Sequence, residues 1–185
     1  MLPAIQLTTR RLLLRPTVQD DFIEWFKMVS DPEAMRFLGG PQNEFLAWLH
    51  FSAMAGAWYL EGISRFSVIE KATARWVGWA GPLRPRGWPA AEVGCGIVRD
   101  KWGCGYATEA VEVTLEWVFS HLGWQEVFHY ASPENLMSQA VARKIGSEFR
   151  GTAMLPGLAN EEASIVQVWS QTAQQWHARH AGRGQ

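Results

Sequence analysis

One stretch limits what this chain can fold into more than any other: Glu92-Val-Gly-Cys-Gly-Ile-Val-Arg-Asp-Lys-Trp-Gly-Cys-Gly-Tyr-Ala-Thr-Glu-Ala110. It reads as a strand, a tight glycine turn and the first turn of a helix. Gly103 and Gly105 sit where the chain must reverse, and glycine permits positive φ and close approach of backbone to a ligand. Beyond them Ala107, Ala110, Val111, Thr114, Leu115, Val118 and Leu122 recur at helical spacing, so a long amphipathic helix begins near Tyr106. A helix start exposes unpaired N–H groups and the positive end of a dipole, which suits a phosphate. Residues 100–107 are therefore a candidate anion cradle. The pattern Gly103-Cys-Gly105-Tyr-Ala-Thr108 lacks the third glycine of a dinucleotide fingerprint, and no Gly-Lys-Ser/Thr follows as in a P-loop. Alone, the stretch fits a phosphate-binding turn and an ordinary strand-to-helix connection equally.

A length of 185 residues suits one domain, and 48% apolar with 19% charged residues describes a chain with a real core. Lys plus Arg is 17 and Asp plus Glu is 18, so no basic field points to nucleic acid. Most of the 11 tryptophans are expected to fill the core. Cys95 and Cys104 form neither a CxxC motif nor half of a zinc site, which fits a reduced cytoplasmic protein. The apolar run at Leu12–Leu14 ends at Arg15-Pro16, too short for a signal sequence, and no run approaches membrane-spanning length.

Taken in order, residues 11–16 predict a short strand stopped by Pro16. Thr17 is a candidate N-cap for a helix with Phe22, Trp25, Phe26 and Val29 inward. Ser30-Asp31-Pro32 and Gly39-Gly40-Pro41 mark breaks. Residues 44–58 are helical again, with Phe45, Trp48, Leu49, Phe51 and Ala55 expected inward. A meander of strands follows at 66–71, 75–81 and 92–98, with a proline-rich loop over 82–89. After the helix at 106–122, closed by Gly123, come a strand at 126–131, a helix from Pro133-Glu-Asn135 to Lys144, and strands at 149–155 and 164–169. The order β-αα-βββ-α-β-α-ββ describes an α/β (α+β) domain over residues 1–176 around a mostly antiparallel sheet. Residues 177–185 are expected to be a frayed tail, with His177 and His180 solvated rather than metal ligands.

Strand alternation puts Glu92, Gly94, Gly96 and Val98 on one face and Val93, Cys95 and Ile97 on the other. The first face carries a carboxylate beside two glycines and leads into the cradle. Glu92 is either a surface strand residue or a general base. A second strand-turn-helix unit runs through Ala131-Ser-Pro-Glu-Asn-Leu-Met-Ser138. Asn135 is a plain N-cap candidate, and Ser138 follows in the first turn.

The two units together resemble the GNAT superfamily of acyl-CoA-dependent N-acetyltransferases, and within it the branch of ribosomal-protein alanine and serine N-terminal acetyltransferases. The resemblance spans about residues 7–170 and rests on Glu92-Val-Gly94, Trp102–Ala110, Pro133-Glu-Asn-Leu-Met-Ser138 with Lys144-Ile-Gly146, and Arg11–Pro16 as the family's first strand. It implies a GNAT-like fold, a mixed, mostly antiparallel sheet splayed in the middle and flanked by helices. It implies acetyl-CoA as cosubstrate, held at Ile97, Val98, Arg99, Lys101, Gly103, Cys104, Gly105, Tyr106, Ala107 and Thr108, with Asn135 bonding the cofactor arm. Glu92 matches the general-base position and Ser138 the proposed acid beside the departing sulfur; no metal is implied. The helix tyrosine that is the acid in other branches is Ala142 here. The implied partner is a primary amine, a protein N-terminus or a small molecule, with no nucleic acid and no membrane, on a monomer or homodimer.

Two departures bear on the site. Asp100 stands where many relatives have Gln or Arg, so it is expected to point away from a pyrophosphate, with Arg99 or Lys101 nearer. Cys95-Gly96 replaces aromatics, and Gly96 is expected to widen the acceptor side of the cleft. Trp25, Met35, Phe37 and the loop at Asn160-Glu161-Glu162 are candidate acceptor contacts by their position around the family's cleft. Two rival readings are an acyl-CoA-binding regulatory module without catalysis and an unrelated nucleotide-binding domain, the latter disfavoured by the missing glycine and the antiparallel meander.

Overall fold

Short-period alternation builds the strands. Leu12 and Leu14 are fully buried while Leu13 and Arg15 are only half-buried, so the run packs one face inward. The computed structural model describes residues 5–84, 86–155 and 165–181. Its strands are β1 (Leu7–Thr8), β2 (Leu12–Pro16), β3 (Phe66–Glu70), β4 (Arg75–Leu83), β5 (Glu92–Ile97), β6 (Glu126–Ala131), β7 (Glu148–Met154) and β8 (Ile165–Thr172). Helices α1 (Phe22–Val29) and α2 (Glu44–Leu60) precede β3, α3 (Tyr106–Ser120) joins β5 to β6, and α4 (Leu136–Lys144) joins β6 to β7. A last helix, α5 (Ala173–His180), follows β8. The strands form one sheet in the order β1-β2-β3-β4-β5-β6-β8-β7. Every neighbouring pair is antiparallel except β5 and β6, which run parallel. The mixed α/β architecture and mostly antiparallel sheet are as expected.

Helix α3 packs on β2, β4 and β5. There Leu12, Leu14, Val77, Val93, Val111 and Leu115 are at most 1% exposed. Each such side chain contributes about 1.5–3 kcal/mol relative to exposure. This packing fixes α3 against β5 and thereby aims the glycine turn between them.

Three expectations need correction. Strand β4 runs through Pro82 to Leu83 rather than stopping at Gly81. Phe66 pairs with Ala80, so Pro82 lies beyond the end of β3, and no ladder bond is lost to its missing N–H. In α2, Phe45, Trp48 and Leu49 face outward at 69%, 45% and 46% exposure, while Ala47, Phe51, Met54 and Trp58 are buried. That helix is apolar on all sides, so periodicity does not select a face. Finally, α5 carries the helix to His180, past the tail boundary expected at residue 177. Thr172 and Gln175 form a capping box at its start, and Trp176, 2% exposed, donates to Glu116 Oε2 at 2.9 Å. The His180 ring lies 3.9 Å from that of Trp176, so His180 is packed rather than solvated. No helix among the described residues is long and apolar enough to cross a membrane.

Candidate active site

The parallel junction opens almost as soon as it forms. β5 and β6 pair only at Glu92 and Phe128, where Phe128 N–H donates to Ala91 O at 3.2 Å. Val98 N–H donates to Val77 O, and Gly78 pairs with Ile97. In that antiparallel register Glu92, Gly94 and Gly96 exchange bonds with β4, and the backbone groups of Val93, Cys95 and Ile97 point toward β6. Past the bond that Val93 N–H makes to complete this bridge, the ladder gives no further β6 partner. His129 instead bonds Val93 O through Nδ1 at 2.6 Å, and Trp102 Nε1 donates to Ile97 O at 2.7 Å. His129 is buried, its Nε2 has no partner, and burial pushes its pKa down to about 4. A neutral ring with the proton on Nδ1 is the form that can donate to Val93 O. The amides of Cys95 and Ile97 remain turned into the cleft.

At the far end of β5 the chain makes a one-turn 3₁₀ segment, Arg99–Lys101, then reverses through Gly103 (φ 74°) and Gly105 (φ 80°). Gly105 is the N-cap of α3 and leaves the helix start without a side-chain cap. Asn43, Asn135 and Thr172 cap α2, α4 and α5 with side-chain oxygens. The amides of Tyr106, Ala107 and Thr108 therefore have neither intrahelical nor capping partners, and Gly103, Cys104 and Gly105 are exposed beside them.

Arg11 braces this turn. Its Nη1 donates to Cys104 O at 2.9 Å, its Nε and backbone N–H donate to Glu109 at 2.6 and 3.0 Å, and its guanidinium lies 4.5 Å from the Tyr106 ring centre. Asp100 pairs with Arg75 at 2.6 Å. Arg99 and Lys101, expected nearer the anion, are engaged elsewhere: Arg99 with Asp31 at 3.4 Å and Lys101 with Glu70 at 2.8 Å. Tyr106 also donates from its hydroxyl to Glu70 at 2.5 Å, and these donors hold the Glu70 carboxyl down to about 2. The open donors of the cradle are thus main-chain amides.

Glu92 stands at the mouth of the splay. It is 8% exposed, its Oε2 has no partner, and burial pushes its pKa up to about 7 against the opposing pull of Arg65. The space above Gly96 is not open. A Cβ there would lie 2.6 Å from Met28 Cε and 2.7 Å from Trp79 Nε1, so Trp79 of the neighbouring strand fills the room that Gly96 leaves. The Arg65 guanidinium stacks over the Trp79 ring at 4.1 Å. Burial pushes the Cys95 thiol up to about 12, which keeps it neutral and unreactive.

Across the cleft, Asn135 Oδ1 accepts from Ser138 N–H at 3.0 Å, and the buried Gln139 side chain donates to the carbonyls of Ser132 and Pro133 at 3.4 and 2.9 Å. The β6–α4 turn is held by these bonds, leaving the Asn135 amide NH2 and the Ser138 hydroxyl without protein partners among the described residues. Ala142 is buried at 3%. Trp25 and Met35, candidate acceptor contacts, are core residues at 4% exposure, and Trp25 Nε1 is spent on Ala47 O. Phe37 is half-buried beneath Arg36. Asn160-Glu161-Glu162 lie outside the described residues.

Sequence reasoning missed Arg65, Trp79, His129 and the bracing role of Arg11. His129 carried a signal: alternation over Glu126–Ala131 puts it on the buried side with Val127 and Ala131. Arg65 carried none, because its neighbours come from two other strands.

The sequence profile of the acetyltransferase (GNAT) domain matches residues 11–148. An uncharacterized N-acetyltransferase p20 of Bacillus licheniformis is 28% identical over 166 residues, covering 88% of this chain and 92% of that one. The crystal structure of an acetyltransferase from Agrobacterium tumefaciens str. C58 superposes with a TM-score of 0.80 at 26% identity, covering 92% of this chain and 96% of the other. A ribosomal-protein-S5-alanine acetyltransferase from Vibrio fischeri shares the fold, with a TM-score of 0.72 at 17% identity over 93% of this chain and 98% of its own. With a strand splayed from its neighbour, an uncapped helix start at one end of the cleft and a carboxylate at the other, the chain belongs to the GNAT acetyltransferase family and is an acyltransferase.

Proposed function

We propose that the protein transfers the acetyl group of acetyl-CoA to a primary amine by direct attack within a ternary complex. The observation that carries this reading is the cleft between β5 and β6, which begins at the unpartnered carboxylate of Glu92 and ends at the uncapped amides of α3. The residues present fit the cosubstrate. The amides of Gly105 to Thr108 would receive the pyrophosphate, the cleft-facing amides of Cys95 and Ile97 would bond the arm as a strand would, and the Asn135 amide would add a contact from the opposite wall. Bound there, acetyl-CoA supplies an activated acetyl group whose C–S bond breaks as the new C–N bond forms.

The chain's own residues then do three things. Glu92 removes a proton from the incoming ammonium, which cannot attack while charged. A cleft-facing amide of β5 donates to the carbonyl oxygen as negative charge grows on it. Ser138 donates a hydrogen bond to the departing sulfur; a thiol has a reference pKa of roughly 8.5, so full proton transfer is not required of it.

The base acts deprotonated and its carboxyl lies at about 7, so turnover should fall as pH drops below neutrality. Glu92→Gln should lower turnover about 100-fold at pH 7.5 and abolish that limb, with CoA affinity unchanged. An unaltered pH profile in the variant would remove Glu92 as base. Calorimetry with CoA, ATP and NAD tests the cosubstrate, and absence of CoA binding at millimolar concentration would overturn the reading.

A further inference from the structure

The cleft contains a cation that the transfer reaction as described does not use. Arg65 immediately precedes β3, and its neighbours across the sheet are two glycines in register, Gly81 on β4 and Gly94 on β5. Paired residues of an antiparallel ladder share a face, so Arg65, Gly81 and Gly94 form one row beside Glu92. Side chains at those two positions would block the row. A Cβ at Gly81 would lie 2.7 Å from the Arg65 backbone, and one at Gly94 would lie 3.0 Å from Glu92 Oε1. The absence of both lets the guanidinium lie across the sheet, stacked on Trp79 at 4.1 Å, toward the proposed base.

None of the guanidinium nitrogens makes a hydrogen bond or an ion pair with any described residue, and Nε is fully enclosed with no partner. Glu92 Oε2 is likewise enclosed and unpartnered, and the two side chains form no ion pair with each other. Arg65 as a whole is half-buried, and its enclosed Nε has no compensating hydrogen bond, which is costly. Two other arginines are satisfied: Arg15 is bidentate to Asp21 at 2.7 Å to each oxygen, and Arg11 reaches Glu109 Oε2 through Nε and Nη2, both at 2.6 Å. Arg65 differs because it has no such partner among the described residues, and its row of the sheet runs through Gly94 beside Glu92, where an acceptor amine would be deprotonated.

We propose that Arg65 receives a carboxylate carried by the acceptor close to its amine, so that the acceptor is an amino acid or an amine of that pattern rather than a plain alkylamine. The inference rests on the acetyl-transfer reading above. The fork of N–H donors on Arg65 matches the two oxygens of a carboxylate. The guanidinium rests over the Trp79 ring, and Glu92 would face the ammonium end of the same molecule. Charges are thereby complementary at both ends: ammonium to Glu92, carboxylate to Arg65. A peptide N-terminus presents an amide where a free amino acid presents a carboxylate, and reaches Arg65 only through an acidic first side chain.

The test is a panel of matched acceptors assayed by thiol release: free amino acids, their carboxamides, the corresponding decarboxylated amines, and dipeptides beginning with Asp, Glu, Asn or Gln. The carboxylate members should have kcat/KM at least 30-fold above their amide partners. Preference for the free amino acids assigns the α-carboxylate, and preference for the acidic dipeptides assigns a side-chain carboxylate. Arg65→Gln should lower kcat/KM for carboxylate members about 100-fold, mainly through KM, and leave the neutral members within a few-fold. Arg65→Lys should recover part of the loss. Equal use of matched partners by the wild-type protein overturns the inference without recourse to any variant. Equal loss on all acceptors with a shifted acid limb also overturns it, because Arg65 would then act only on the ionisation of Glu92. If CoA binds but no carboxylate-bearing amine is acetylated, the inference falls and acetyl transfer to another acceptor stands. If CoA does not bind, the underlying reading falls.

Discussion

Two buried titratable residues give the stability of this protein opposing slopes with pH. The Glu92 carboxyl, ordinarily at 4.5, lies at about 7 in the folded chain, so folding favours its protonated form. Its contribution is present below 4.5 and is lost as pH rises to about 7. His129, ordinarily at 6.5, lies at about 4 when folded, so folding favours its neutral form. Its contribution is present above 6.5 and is lost as pH falls to about 4. From pH 7 to pH 5 the histidine alone should cost about 2 kcal/mol. Chemical denaturation of wild type and His129→Gln at those two pH values should show the wild type losing that much more than the variant; equal losses would mean that His129 is charged in the folded state. Glu92 was legible in the sequence because a carboxylate between apolar strand residues, beside two glycines, is conspicuous. Asn135 was legible because its cap bond spans three residues. The burial of His129 was legible by alternation, but the roles of Arg65 and His129 were not, since each acts on a group from another strand, Trp79 and Val93, that only the sheet register brings near.

At the scale of elements, the unit that matters is the turn from β5 into α3. Gly105 holds a left-handed conformation at the N-cap (φ 80°), and a Cβ there would be 3.5 Å from Arg11 Nη2, an ordinary contact. Space is therefore not what excludes a side chain; backbone conformation is, at a cost of about 1–2 kcal/mol. Gly105→Ala should lower stability by about 1 kcal/mol and, by tilting the first amides of α3, weaken CoA binding about fivefold, read by calorimetry. Unchanged CoA affinity would show that these amides do not hold the pyrophosphate. This unit was the most legible part of the chain, because glycine placement and helical spacing are local properties. The inward face of α2 was the least legible. With Phe45, Trp48, Leu49 and Phe51 all apolar, the choice among them depends on what α1 and the sheet leave to be filled. Phe51 wins by packing on Phe22 and Trp25, with ring centres 5.4 and 6.0 Å apart.

For the whole molecule, the ends of the chain converge on α3. Arg11 and Thr9 hold its first turn through Glu109, and α5 holds its last through Trp176. Trp176 is 2% exposed, stands 6.1 Å from the Phe119 ring and bonds Glu116. Trp176→Ala should cost about 3–5 kcal/mol in urea denaturation while leaving kcat at low temperature near that of the wild type. A loss below 1 kcal/mol would mean that α5 is not part of the cooperative unit. This helix escaped sequence reading because a polar, basic terminal segment resembles a frayed end, and one tryptophan among glutamines, histidines and alanines gives no periodicity.

The sheet is also two blades, β1 to β5 and β6 to β7, joined side by side through a single backbone rung at Glu92 and Phe128. Each blade is stiffened by its own antiparallel ladders, so relative movement concentrates at that rung. Glu92 sits on the rung itself, where the lever arm is shortest, and the α3 amides lie toward the end that swings widest. Any relative movement of the blades would therefore displace the proposed base least and the α3 amides most. Substitutions on β7 or β8, remote from any reacting atom, should alter cosubstrate exchange before they alter chemistry.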